Sequence, residues 1–283
     1  MEKTLLSIGH GYSAKALAKR LLPKGWRIIG TTRSPEKAAA LKETGIEAMV
    51  WPGGKLPLGE VSHVLTSVSP GSDGDPVLAA QGAEIAGASH LKWVGYLSTT
   101  GVYGDHQGDW VDEDTALTPS TERGIARVEA EAAWAALGVP LHIFRLAGIY
   151  GPGRGPFSKV RSGNARRIIK EGQVFSRTHV DDIAQVLEAS IDRPNPGRAY
   201  NVCDDDPAQP QDVIAYAAQL LGMPVPDAVS FEDAELSAMA RSFYSESKRV
   251  RNDRIKDELG VDLIYPDYRA GLRALLERET SRT

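Results

Sequence analysis

A glycine-rich turn near the amino terminus constrains this chain more than any other stretch. Gly9-His10-Gly11-Tyr12-Ser13-Ala14 separates an apolar run, Thr4-Leu5-Leu6-Ser7-Ile8, from a segment in which Ala14, Leu17, Ala18 and Leu21 fall on one helical face. A second apolar run, Trp26-Arg27-Ile28-Ile29-Gly30, follows at once. Strand, tight turn, helix and strand, in that order, give a G-x-G-x-x-A spacing its meaning. Gly9 lets the chain leave the strand sharply, and Gly11 lets a pyrophosphate approach the backbone. Ala14 lets the helix pack closely on the sheet. The amides of the helix N-terminus then face the anion. Gly9, His10, Gly11, Tyr12 and Ser13 are therefore the expected dinucleotide-facing residues, with the His10 ring directed to solvent or to the edge of the ligand. An ordinary βα turn without a ligand is the alternative.

The rest of the first half repeats this alternation. Strands are expected at Ile46–Trp51, Val61–Val68, Trp93–Ser98 and Leu141–Leu146. Helices are expected from Ser34-Pro35-Glu36 to about Thr44, from Pro76 to about Ala88, and over Thr118–Leu137 with Ile125, Val128, Ala132 and Ala135 on its apolar face. Such alternation argues for an α/β fold, a Rossmann-type doubly wound parallel sheet. From Gly151 the pattern loosens. A basic helix is expected around Arg161–Lys170, then helices near Val180–Ile191, Gln211–Leu221, Glu232–Arg241 and Lys248–Leu259, a strand at Ala199–Val202, and a final helix carrying Tyr268, Leu272, Leu275 and Leu276. The chain reads as a single domain, 1–283, whose C-terminal part (about 151–283) includes a small, mostly helical substrate lobe.

Bulk properties exclude several classes. The net charge of −4, from 33 basic and 37 acidic residues, gives no reason to expect nucleic acid as a partner. One cysteine, Cys203, rules out an intrachain disulfide framework and fits a reducing compartment. No apolar run reaches the roughly 20 residues of a membrane span, and Met1-Glu2-Lys3 leads straight into the first strand. A cytoplasmic protein with a small-molecule substrate and no membrane partner is the expectation. The histidines are scattered, and no His/Cys/carboxylate spacing suggests a metal site.

An acidic residue about 20 positions beyond the glycines selects NAD by binding its ribose hydroxyls. Here the stretch is Gly30-Thr31-Thr32-Arg33-Ser34, with no carboxylate before Glu36. Arg33 offers a planar fork of donors for a 2′-phosphate, so Thr32, Arg33 and Ser34 point to NADP(H), with NAD(H) as the alternative if Arg33 is only a solvated loop arginine.

Further along, Ser98-Thr99-Thr100-Gly101-Val102-Tyr103-Gly104-Asp105, Arg145-Leu146-Ala147-Gly148-Ile149-Tyr150-Gly151-Pro152-Gly153, His179-Val180-Asp181-Asp182-Ile183-Ala184 and Tyr200-Asn201-Val202 occur in sequence. Together with the N-terminal turn, these segments resemble the extended short-chain dehydrogenases/reductases, the NAD-dependent epimerase/dehydratase family. The resemblance implies a hydroxyl near Thr99 that orients the substrate oxygen, a Tyr-x-x-x-Lys pair on the following helix, and a homodimer formed through that helix. At the matching place the chain reads Thr121-Glu122-Arg123-Gly124-Ile125-Ala126-Arg127, with Arg123 for the tyrosine and Arg127 for the lysine. A guanidinium stays protonated and cannot serve as the acid/base. The Asp-Glu pair of the family's sugar-nucleotide dehydratases is replaced by Thr100-Gly101. The chain thus resembles an atypical branch that keeps the cofactor turn and loses part of the catalytic set.

Thr99, Arg123 and Arg127 are the expected catalytic residues. The arginines lie on one helix face as an anion site, and Arg127 takes over the lysine's cofactor contact. A solvated face, with Arg127 paired to Glu131, is the bland alternative. Tyr103 and Tyr150 read as structural, and His179 first as a helix start and second as a replacement acid/base. The basic run Lys159–Lys170, with Arg177 after it, suggests a small anionic substrate. Two functional classes follow: an NADP(H)-dependent oxidoreductase or epimerase-like enzyme with a non-standard acid/base, or a catalytically silent NADP(H)-binding redox sensor or structural partner.

Overall fold

The computed structural model describes residues 3–281. Met1 and Glu2, on which the expectation of a direct start rests, lie outside the described residues. The first half runs β1 (Thr4–Ile8), α1 (Tyr12–Leu21), β2 (Arg27–Thr32), α2 (Pro35–Lys42), β3 (Glu47–Val50), β4 (His63–Thr66), α3 (Pro76–Ala86) and β5 (Trp93–Thr99). A 3₁₀ turn at Thr100–Tyr103, the short β6 (Trp110–Val111), α4 (Glu122–Ala135) and β7 (Leu141–Leu146) follow. The second half has β8 (Gly148–Tyr150), α5 (Phe157–Arg161), β9 (Arg167–Ile169), β10 (Arg177–His179), α6 (Val180–Asp192), β11 (Ala199–Val202) and α7 (Pro210–Leu220). It ends with β12 (Ala228–Ser230), α8 (Ala238–Phe243), β13 (Arg249–Val250), α9 (Asp253–Asp257) and α10 (Tyr268–Thr280).

Seven strands form one sheet in the order β11-β7-β5-β4-β1-β2-β3, and every pairing in it is parallel. The chain winds outward from β1 to β3, then crosses back to place β4 beside β1. That reversal opens a crevice at the carboxyl ends of β1 and β4, where sheets of this kind hold ligands. Strands buried on both faces explain the continuous apolar runs in the sequence. One face packs Leu5, Ile28, Trp93 and Phe144 against Leu17 and Leu21 of α1 and Ile183, Val186 and Leu187 of α6. The opposite face packs Leu6, Ile8, Val64 and Tyr96 against Val77 and Ile85 of α3 and Trp134 of α4. A third cluster, Tyr150, Phe157, Val213, Tyr268 and Leu272 among others, is the core of the lobe.

Several expectations need correction. The fourth helix begins only at Glu122, because Thr121 is extended and caps it, its hydroxyl accepting from the Gly124 amide. Its buried face is Gly124, Ala130, Glu131 and Trp134, while Ile125 is 45 % exposed. The basic helix is instead the short α5 followed by β9, which pairs with β12. Of the helices expected at Glu232–Arg241 and Lys248–Leu259, only α8 and α9 form, and Arg249–Val250 pairs with Trp110–Val111. The lobe therefore mixes helices with two-stranded pairs.

Candidate functional site

The glycine turn is latched from two sides. The Gly9 amide donates to Thr31 Oγ1 at 2.8 Å and the His10 amide to the Thr31 carbonyl at 2.8 Å. Ser67, just past β4, donates its hydroxyl to the Gly9 carbonyl. Gly9 has φ +76°, and a Cβ there would meet Val68 Cγ2 at 3.0 Å, so both backbone and space demand glycine. Gly11 differs: φ is −100°, and an added Cβ would meet only the Gly9 carbonyl, at an ordinary 3.6 Å. Nothing else among the described residues comes within 4 Å of a Cβ placed on Gly11. Gly11 caps α1 without a side-chain hydrogen bond, and the first turn of α1 has no acidic residue. Its free amides and positive dipole end therefore face open space suited to an anion.

His10 departs from expectation. Its ring is 6 % exposed and packs under the turn against Gly30, where a Cβ would lie 2.9 Å from the imidazole. Burial, helped by the Lys15 charge, pushes its pKa down to about 4. The ring contributes packing, not a contact with solvent or ligand.

A cavity of about 850 Å³ runs from this turn across the carboxyl ends of the strands. Gly9, Gly11, Tyr12 and Ser13 line one end, and Ser67, Ser69, Thr99, Arg123 and Arg127 line its middle. Thr32, Arg33 and Ser34 stand beyond that lining, at the end of β2. There Ser34 caps α2 by accepting from the Lys37 amide, and Arg33 is exposed. Tyr12 donates its hydroxyl to the Pro152 carbonyl at 3.0 Å, tying the loop after β8 to the head of α1.

Thr99 ends β5, uses its hydroxyl oxygen to accept from the Gly101 amide at 3.2 Å, and lines the cavity. Arg127 is anchored by three contacts: the Leu97 carbonyl at 2.6 Å, the Tyr96 hydroxyl at 3.1 Å and Ser69 Oγ at 2.9 Å. The alternative pairing of Arg127 with Glu131 is not found among the described residues. Glu131 is buried and bonds Arg145 at 2.8 Å and Ser98 Oγ at 2.5 Å. Arg123 is exposed, with its guanidinium 5.1 Å from the Phe243 ring centre in the lobe.

Other expected side chains are structural. Tyr103 is fully buried, donates to Asn201 Oδ1 at 2.7 Å and accepts from Arg145 Nη1 at 3.0 Å. His179 caps α6 by accepting the Asp181 amide at its Nδ1, packs on Tyr265, and is held near pKa 4 by burial. The helix-start reading of His179 is the one its contacts fit. Tyr150 lines the cavity, but burial and the surrounding carboxylates push its phenol far up.

The basic run Lys159–Lys170 does not line the cavity. Arg161 pairs with Glu279, Arg167 donates to the Pro226 carbonyl, and Lys170 donates to the Tyr244 carbonyl. The cations that do line it are Arg123, Arg127, Arg154, Arg177 and Lys248, against a single described carboxylate, Glu246. Sequence periodicity carries no signal for Arg154, Arg177, Lys248 or Glu246, because folding brings them in from separate loops and short strands of the lobe. Among the described residues no helix is long and apolar enough to cross a membrane, and no His/Cys/Asp/Glu cluster is arranged to hold a metal.

The chain is 62 % identical to a functionally unknown conserved protein from Silicibacter pomeroyi DSS, whose solved structure matches with a TM-score of 0.94 over 98 % of this chain and 99 % of that one. Protein YeeZ of Escherichia coli (strain K12) is 27 % identical over 282 residues, covering 94 % of this chain and 97 % of YeeZ. A dTDP-glucose 4,6-dehydratase from Bacillus anthracis str. Ames, solved with NAD, shares the fold at 16 % identity, with a TM-score of 0.76 over 99 % and 97 % of the two chains. The model of the NAD dependent epimerase/dehydratase family matches residues 8–203, from the end of β1 to just beyond β11. By that match the chain belongs to the NAD-dependent epimerase/dehydratase family, of which it is an atypical member with Arg123 where the family's tyrosine would stand.

Proposed function

We propose that the protein is an NADP(H)-dependent oxidoreductase or epimerase-like enzyme acting on a small, anionic substrate with a non-standard acid/base. One observation carries the reading: a single cavity joins the glycine turn to Thr99 and Arg127. The space in front of Gly11 and the uncapped amides of α1 fit a pyrophosphate. A nicotinamide cofactor bound there would supply hydride acceptance or donation. The protein's part is positioning. Thr99 orients the substrate oxygen, the fixed Arg127 fork holds a ribose or phosphate oxygen, and Arg123 adds positive potential at the mouth, stabilising an oxyanion without moving a proton.

The preference for NADP(H) rests on Arg33, exposed at the end of β2 with no carboxylate beside it before Glu36. The dehydratase complex holds NAD, so NAD(H) is the competing cofactor. Fluorescence titration decides between them. We expect NADPH to bind more tightly than NADH by about tenfold, roughly 1.4 kcal/mol, and Arg33→Ala to erase that difference. Equal affinities in the unaltered protein would overturn the preference.

The arginine at the tyrosine position supports a second reading, a catalytically silent NADP(H)-binding sensor. A screen of carbonyl and alcohol substrates for change in NADPH absorbance, with Gly11→Val as the cofactor-dead control, separates the two. Turnover absent across the screen, with NADPH still bound, favours the sensor.

A further inference from the structure

The lobe end of the cavity holds a cation that the proposed cofactor chemistry does not use. Arg177 opens β10, which pairs with β8 in the register Arg177↔Gly148, and its carbonyl accepts the Asp204 amide at 2.7 Å. Its backbone is thus fixed between two elements at the carboxyl edge of the sheet. The side chain is held by one corner only. Nη1 donates to the Phe175 carbonyl at 2.8 Å and the Ala208 carbonyl at 3.1 Å. No acceptor among the described residues meets Nε or Nη2, neither atom is fully buried, and Arg177 lines the cavity. The Nε/Nη2 edge is the side of a guanidinium that matches two oxygens at once.

Charge points the same way. Burial is the largest influence on Arg177 and lowers its pKa, although an arginine remains a cation at neutral pH. No described carboxylate forms a direct ion pair with it. The carboxyl that influences it most, Asp204, is 2 % exposed, and burial pushes its own pKa well up. A deep cation whose neighbouring carboxyl is disfavoured as an anion is costly unless an anion arrives. Tyr244 also lines this end, feels the Arg177 charge, and has no described partner for its hydroxyl.

We infer that the Nε/Nη2 edge of Arg177, assisted by the Tyr244 hydroxyl, is the subsite for an oxyanion group, carboxylate or phosphate, of the small substrate. This rests on the proposed function, in which the other end of the cavity takes the cofactor. Of the basic residues expected to mark an anionic substrate, it leaves Arg177 alone, since the run Lys159–Lys170 does not line the cavity.

The test uses the full chain saturated with NADPH, so that anions cannot occupy the cofactor end. Calorimetric titrations with acetate and with inorganic phosphate distinguish the two oxyanions. We expect the loaded protein to bind at least one of them, and Arg177→Ala to weaken that binding at least tenfold with the NADPH Kd unchanged. Arg177→Lys, a point charge without the fork, should fall between, and Tyr244→Phe should lose less. Should Arg177→Ala not fold, Arg177→Gln, a polar side chain without the charge or the fork, replaces it. The inference is overturned if neither anion binds the loaded protein, or if the variant binds as well as the original. Failure of NADPH to bind would sink the cofactor reading instead, and the same comparison on the unloaded protein would still decide Arg177.

Discussion

Arg127 shows how one substitution changes what a position can do. A lysine there would present a mobile point charge, whereas the guanidinium is pinned by Leu97, Tyr96 and Ser69 across β5 and the loop after β4. A fixed fork loses less freedom on meeting a ligand oxygen. Arg123, four residues earlier, reaches outward to Phe243 instead. The two arginines expected to form one anion site therefore divide, with only Arg127 locked toward the sheet. Arg127→Ala is expected to weaken NADPH about tenfold, close to the ~1.5 kcal/mol of one charged hydrogen bond. Arg123→Ala should change it less than twofold. Fluorescence titration of both variants checks this, and an unchanged Kd for Arg127→Ala would remove the residue from the cofactor site.

At the scale of elements, α4 buries Trp134 together with a charged residue, Glu131, and not the apolar face expected from its sequence pattern. That pattern suggests a face of Ile125, Val128, Ala132 and Ala135, yet Ile125, Ala132 and Ala135 point outward. Trp134 packs into the core with its indole N–H on Asp75, and Glu131 faces inward beside it because Arg145 of β7 is also buried, each satisfying the other at 2.8 Å. Ser98 and Tyr103 complete the network. Removing one partner leaves the other charge buried and unpaired, so Glu131→Ala should cost about 3–5 kcal/mol in chemical denaturation. Ala132→Ser, on the exposed face, should stay within about 0.5 kcal/mol. Equal, small losses for both would mean that the pair contributes little.

The same helix marks the limit of what the sequence could tell. The alternating strands, the Gly9 turn and the Ser34 cap were legible because each is a local pattern with a local cause. The inward Glu131 was not, since its reason lies in a residue of another strand. Arg154, Glu246 and Lys248 were illegible as a lining for the same reason, Arg177 was legible only as part of a basic stretch whose other members face elsewhere, and His10 was misplaced because its ring is buried against Gly30 of β2.

The molecule as a whole carries its histidines in a way that sets its response to acid. His10 lies under the cofactor turn, and His63 and His142 flank Trp93 across the sheet. His179 joins the sheet to the lobe. All are 8 % exposed or less, and burial lowers each pKa to about 4. Each imidazole accepts a proton less readily in the folded chain than in the unfolded one. Between about 6.5 and 4 the unfolded chain therefore binds more protons, and stability falls as pH drops through that window. Asp182 acts in the opposite sense. Its pKa is raised to about 6 by burial, so from about pH 6 down to its unfolded value the folded chain holds the extra proton and gains stability. Glu113 and Asp204, whose carboxyls burial also raises, act in the same sense as Asp182 and offset part of the effect of the four histidines. With four imidazoles set against three carboxyls, moving from pH 7.5 to 5 should still lower stability, read as a falling urea midpoint. His142 accepts the Asn195 amide at Nε2, 2.9 Å away, so the neutral ring must carry its proton on Nδ1. His142→Gln can keep an acceptor for that amide and removes one titrating ring, so the fall should shrink by about 2 kcal/mol. A midpoint that stays level from pH 7.5 to 5 would show that these rings titrate alike in both states, and the buried-histidine account of acid sensitivity would have to be abandoned.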